Sequence, residues 1–151
     1  MDLILWRHAG ACSPSAGQDD MERGLTPKGE RHAQRMAKWL NQRLPHSTRI
    51  VVSPALRAQQ TVKALDRKFR TLAPLAPGCS ADDLLKATGW PSASEPVLVV
   101  GHQPTLGVVA ARILAGTDQR WVVKKAGVWW LRLRAREGAV QVTLHAVEGP
   151  D

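Results

Sequence analysis

The sequence predicts an α/β layered fold built on a largely parallel sheet, and three observations carry that prediction. Short apolar runs at residues 3–6, Arg49–Val52 and 96–100 read as buried strands. Each is followed by an amphipathic helical pattern, and strands alternating with helices imply parallel pairing with helices packed on the sheet. The chain then ends in two strand-like runs, about 127–134 and 139–146, separated by Glu137-Gly138, which read as an antiparallel hairpin.

Each element has its own signal. The first strand is followed by a polar Gly/Ser/Pro loop over residues 10–25. Thr26-Pro27 then reads as an N-cap with proline at the first helical position. Behind it Ala33, Met36, Ala37, Leu40 and Leu44 recur at helical spacing. After the strand Arg49–Val52, Ser53-Pro54 repeats the cap-plus-proline pattern, and Ala58, Val62, Leu65 and Phe69 mark a second amphipathic helix. Residues 71–80 hold a short strand and a Pro/Gly loop, and Ala81–Thr88 a short helix. Residues 96–100 form the cleanest buried strand, and Pro104 opens a helix with Leu106, Val109, Ala110, Ile113 and Leu114 on one face. No repeat, low-complexity tract or interdomain linker interrupts the chain, so a single domain over 1–151 is expected.

Composition bounds the function. The 151 residues are 44% hydrophobic and 23% charged, as in soluble globular domains. No apolar run reaches the ~20 residues that span a bilayer. The start, Met1-Asp2-Leu3-Ile4-Leu5-Trp6-Arg7, lacks signal-peptide features. With only Cys12 and Cys79, a disulfide framework is not expected and a cytoplasmic location is. The net charge of +8 favours anionic partners without choosing among them. Arg132, Arg134 and Arg136 alternate on one strand face, which reads first as a solvated surface and second as a nucleic-acid stripe. No aromatic-plus-basic stacking motif supports nucleic acid.

Placed on this frame, the polar residues converge. Arg7 and His8 end the first strand, Ser53 and Arg57 follow the second, and Gly101 and His102 follow the fourth. Ligands of open α/β sheets bind outside the carboxyl ends of the strands. Arginine offers a planar fork of donors suited to phosphate oxygens. Of two histidines, one can attack phosphorus as neutral imidazole while the other donates as imidazolium. Rival chemistries lack their motifs. Six positions after Cys12 stands Gln18, and after Cys79 stands Leu85, so Cys-x5-Arg is absent. No G-x-x-x-x-G-K-[ST] loop is present, and the histidines (8, 32, 46, 102, 145) show no zinc spacing. His32 and His46 read as solvated and His145 as structural.

These residues carry a family resemblance. Leu5-Trp6-Arg7-His8-Ala9 resembles the Arg-His-Gly signature of the histidine phosphatase superfamily, the phosphoglycerate mutase-like family, with Ala9 in place of glycine. Ser53-Pro54-Ala55-Leu56-Arg57-Ala58-Gln59-Gln60-Thr61 resembles its Ser-Pro-x-x-Arg-Ala-x-x-Thr motif, and Val100-Gly101-His102-Gln103-Pro104 its glycine-histidine turn. Leu25-Thr26-Pro27-Lys28-Gly29 matches its Leu-Thr-x-x-Gly helix start. The motifs run in order from position 5 to 104. The short chain and the form of the second motif point to the SixA-type phosphohistidine phosphatase branch.

The resemblance implies a three-layer phosphoglycerate mutase-like fold and a signalling phosphatase that needs no metal or cofactor. His8 would be transiently phosphorylated, with Arg7, Arg57 and His102 binding the transferring group and Arg23 an additional phosphate contact. Where many relatives carry a general acid, this chain reads Leu72-Ala73-Pro74-Leu75-Ala76-Pro77, and the nearest carboxylates, Asp82 and Asp83, are the candidate acids. A phosphorylated protein is the expected partner. Phosphatase action on small phosphate esters, or a non-catalytic phosphate- or phosphoprotein-binding module, are the alternatives.

Overall fold

The computed structural model describes residues 1–150. One six-stranded sheet is ordered β3-β2-β4-β1-β5-β6. It comprises β1 (Asp2–Arg7), β2 (Arg49–Val52), β3 (Arg70–Thr71), β4 (Val97–Gly101), β5 (Val128–Arg136) and β6 (Ala139–Glu148). The first four pair in parallel; β5 runs antiparallel to β1, and β6 to β5. Helices α1 (Pro27–Asn41), α2 (Leu56–Lys63), α3 (Ala81–Thr88) and α4 (Thr105–Ala115) complete the layers.

The sheet divides the core in two because side chains alternate across a strand. Ile4, Trp6, Val52 and Val100 meet Ala33, Met36 and Leu40 of α1 and Ala58 and Val62 of α2. Leu3, Leu5, Val51 and Val99 meet Leu84 of α3 and Leu106, Val109 and Ala110 of α4. β1 and β4 are buried on both faces, which is why they read as unbroken apolar runs.

Most boundaries follow the expected signals. Thr26 Oγ1 accepts the Gly29 N–H at 2.9 Å, and Pro27 takes the first helical position. Ser80 and Asp83 cap each other's backbone at the start of α3. Three expectations shift. Ser53 does not cap α2: its hydroxyl accepts from Ala55 N–H, and the helix starts at Leu56. α2 ends at Lys63, because Ala64, Leu65 and Asp66 close three-residue turns and Asp66 adopts φ 54°. Leu65 and Phe69 nonetheless pack on the core, so their spacing reported burial rather than helix. Pro104 lies before α4 rather than in its first turn.

The arginine stripe of β5 has a local partner. Asp2 is buried, and its carboxylate accepts from Trp130 Nε1 and Arg132 at 3.1 Å and from Arg134 at 3.4 Å. His145 stacks edge-on against Trp130, a structural contact.

Candidate active site

The carboxyl ends of β1, β2 and β4 bring three loops together, and side-chain bonds between them set the geometry. After β1, the Ala9 N–H donates to Thr61 Oγ1 at 3.1 Å, while that hydroxyl donates to the Arg57 carbonyl at 2.7 Å. The threonine that closes the second motif therefore ties the first loop to α2. Ala9 is fully buried without disturbing this bond. After β4, Gln103 accepts from Gly107 N–H and donates to the Trp121 carbonyl, both at 2.8 Å. The segment 121–127 is stitched to β1 by Trp6 Nε1 to Ala126 O, Arg7 Nη1 to Val123 O and Ala126 N to His8 O.

A cavity of about 300 Å³ opens between these loops, lined by Arg7, His8, Arg23, Arg57 and His102 together with Pro77, Gln103 and Lys125. The two histidine rings lie with centroids 5.2 Å apart and planes tilted by 52°. His8 is 7% exposed, His102 4% and Arg57 4%. His8 Nδ1 lies 2.7 Å from the Ala9 carbonyl. A carbonyl only accepts, so Nδ1 carries the hydrogen and Nε2 keeps its lone pair. Burial, reinforced by Arg57, Arg7 and Arg23, pushes the His8 pKa down to about 4 against the opposing pull of the Ala9 carbonyl. Burial, then His8 and Arg57, pushes His102 down to about 3. Both lowered values favour neutral rings at pH 7 in the free pocket.

Second partners orient His102 and Arg57. His102 Nε2 lies 2.7 Å from Ser53 Oγ, which already accepts from Ala55 N–H. The hydroxyl can give its hydrogen to Nε2 or accept one from it, and His102 Nδ1 is buried without a partner among the described residues. Arg57 donates from Nη1 to the Asp20 carbonyl at 2.8 Å and from Nη2 to Asp20 Oδ2 at 3.0 Å; its Nε is buried and unpartnered. Asp20 Oδ1 also takes Arg23 Nε at 2.9 Å. These two arginines hold the Asp20 pKa below the usual carboxylate range.

Arg7, His8, Arg23, Arg57 and His102 are thus gathered as the sequence suggested, whereas Asp82 and Asp83 are not. Asp82 pairs with Arg112 on the outer side of α3 and α4. Asp83 is engaged in the helix cap, where the Ser80 N–H and hydroxyl lower its pKa. Among the described residues no carboxylate lines the cavity. Sequence reasoning missed Asp20 and Lys125. The first sits in a loop without periodicity; the second adjoins Lys124 and carries no motif of its own. His32, read as solvated, is half-buried beside the first-strand loop. No group of His, Cys, Asp or Glu among the described residues is arranged to hold a metal ion. None of the helices is long and apolar enough to cross a membrane.

Fold and site together define an α/β protein with a cationic, histidine-paired pocket at the carboxyl ends of a parallel sheet. Residues 3–77 match the model of the histidine phosphatase superfamily, branch 1. The chain is 31% identical over 125 residues to phosphohistidine phosphatase SixA of Escherichia coli, covering 77% of this chain and 76% of that protein. It is 36% identical over 155 residues to an uncharacterised protein of Picosynechococcus sp., covering 96% and 90%. Among solved structures, the protein histidine phosphatase SixA complexed with tungstate matches with a TM-score of 0.74 and 25% identity, covering 99% of this chain and 97% of that one. The chain belongs to the histidine phosphatase superfamily, in its SixA-type branch, and the family implies phosphatase activity.

Proposed function

We propose that this protein removes the phosphoryl group from phosphohistidine on a protein, through a phosphorylated His8. The observation that carries this reading is the lack, among the described residues, of any carboxylic acid free to reach the cavity. An alkoxide leaving a phosphate ester needs a proton, and a placed general acid commonly contributes ~10²–10⁴-fold. An imidazole leaving from a protonated phosphohistidine ring departs neutral and needs none. Asp82 and Asp83 are committed to Arg112 and to the α3 cap, and Asp20 is held ionised by Arg57 and Arg23.

In this scheme the neutral His8 Nε2 forms a P–N bond as the bond from phosphorus to the substrate imidazole breaks. The His8 ring keeps its Nδ1–H on the Ala9 carbonyl and becomes cationic. Arg57, Arg7 and the His102 ring would receive the equatorial oxygens as charge redistributes. Arg57 retains Nε and one hydrogen on each terminal nitrogen beyond those given to Asp20. Water then attacks phosphorus, the P–N bond to His8 breaks, and dihydrogen phosphate leaves with both protons of that water. No step draws on a metal or cofactor. The tungstate complex of the SixA neighbour, a tetrahedral oxyanion, supports a pocket of this kind.

The test is a comparison of specificity constants for a phosphohistidine protein, a phosphoserine peptide and an aryl phosphate, in wild type and in Asp82→Asn and Asp83→Asn. Phosphohistidine should be preferred and neither variant should change the order. Efficient ester turnover that collapses in either variant would sink the assignment.

A further inference from the structure

Beside the catalytic cavity lies a larger one of about 460 Å³, between the start of α1 and the segment 121–126. The two share Arg7, Ala11 and Lys125 and so adjoin each other. Lys28 from α1 and Lys124 from the facing loop line the second cavity alone, with His32. Lys28, Lys124 and Lys125 make no ion pair among the described residues. Arg7 stands between the cavities, with its Nη1 on Val123 O and its Nε buried without a partner. The floor is fixed by a backbone crossing, because a Cβ on Gly29 would stand 2.1 Å from the Gly10 carbonyl.

A cavity lined by lysines without ion pairs among the described residues, beside a cationic phosphoryl site, is complementary to a second anionic group on the same substrate. We propose that this cleft receives an acidic side chain flanking the phosphorylated residue of a substrate protein, so that the enzyme prefers phosphorylated residues in acidic surroundings. The inference rests on the reading of a protein substrate. Free phosphate would occupy the catalytic cavity without needing the annex, so a small phosphate ester should be indifferent to it.

The experiment uses two chemically phosphorylated histidine peptides, one with Asp and Glu flanking the phosphorylated residue and one with Asn and Gln, alongside an aryl phosphate. The same pair is made with phosphoserine. Wild type should favour the acidic peptide by about 5–10-fold in kcat/KM, the scale expected of a few exposed charge contacts. The double variant K28Q/K124Q should lose that preference, along with its salt sensitivity, while aryl phosphate turnover changes by less than about twofold. Equal turnover of both phosphohistidine peptides by wild type overturns the cleft assignment and leaves the phosphohistidine reading intact. Inert phosphohistidine peptides with an acidic preference in the phosphoserine pair overturn that reading and leave the cleft. If no peptide is turned over while the aryl phosphate is, both fall.

Discussion

The acid limb of the pH profile is the most direct measure of the pocket's electrostatics. An imidazole with the ordinary pKa of 6.5 is only about 3% neutral at pH 5, whereas one held near 4 is about 90% neutral, a difference of about thirtyfold in available nucleophile. The His8 ring nitrogens, followed by nitrogen-15 shifts in the free protein from pH 8 to 4, should therefore stay in the neutral Nδ1–H form until below pH 5. His8→Ala identifies the signal. Arg57→Gln, which removes a neighbouring cation, should raise the midpoint. Stability follows the same groups. Because the folded pKa lies below the unfolded one, the unfolded chain takes up the proton first as pH falls. The stabilisation is complete above about pH 6.5 and is lost between 6.5 and 4. At about 1.4 kcal/mol per pKa unit, His8 alone accounts for about 3 kcal/mol over that window. A urea midpoint that falls across this window in wild type should fall less in His8→Asn. A His8 midpoint between pH 6 and 7 would refute the burial argument.

Three substitutions test the remaining geometry. Arg57→Lys loses the planar fork shared between Asp20 and the cavity, and should lower kcat by ~10²–10³ in steady-state assays with any substrate turned over. Asp20→Asn removes a charge-assisted hydrogen bond from Arg57 and another from Arg23, and should lower kcat/KM by about tenfold. Its effect should be non-additive with Arg57→Gln in a double-mutant cycle. Gly29→Ala forces a methyl into the Gly10 carbonyl and should destabilise the fold by about 1–3 kcal/mol, read from urea unfolding.

What the sequence disclosed and what it withheld follow from how each residue acts. The strands β1 and β4 were legible because they are buried on both faces and so read as continuous apolar runs, as do the last three residues of β2. Arg7, His8, Arg57 and His102 were legible because they sit at the ends of such runs, where topology alone brings loops together. The end of α2 was not legible, since Leu65 and Phe69 stay buried after the helix stops and burial is what periodicity records. The displaced cap at Ser53 was missed for a different reason. Its hydroxyl has a second obligation to His102, and that contact spans 49 positions in sequence.

Asp20 makes the same point about long-range partners and adds a chemical one. Its loop carries no periodic pattern, so nothing local separates it from Asp19, which merely caps the short 3-10 turn Asp20–Glu22 through the Met21 N–H. Only the fold brings Arg57, 37 positions away, onto its carboxylate and carbonyl. A buried guanidinium needs a counter-charge, and a carboxylate that supplies one could also act as an acid. Here Arg23 and Arg57 together favour its ionised form and lower its pKa, which disfavours that role. In the proposed reaction Asp20 would hold Arg57 toward the phosphoryl group without itself supplying a proton to the leaving atom. That supports the proposed substrate, whose imidazole would depart neutral, over a phosphate ester, whose alkoxide would need a proton.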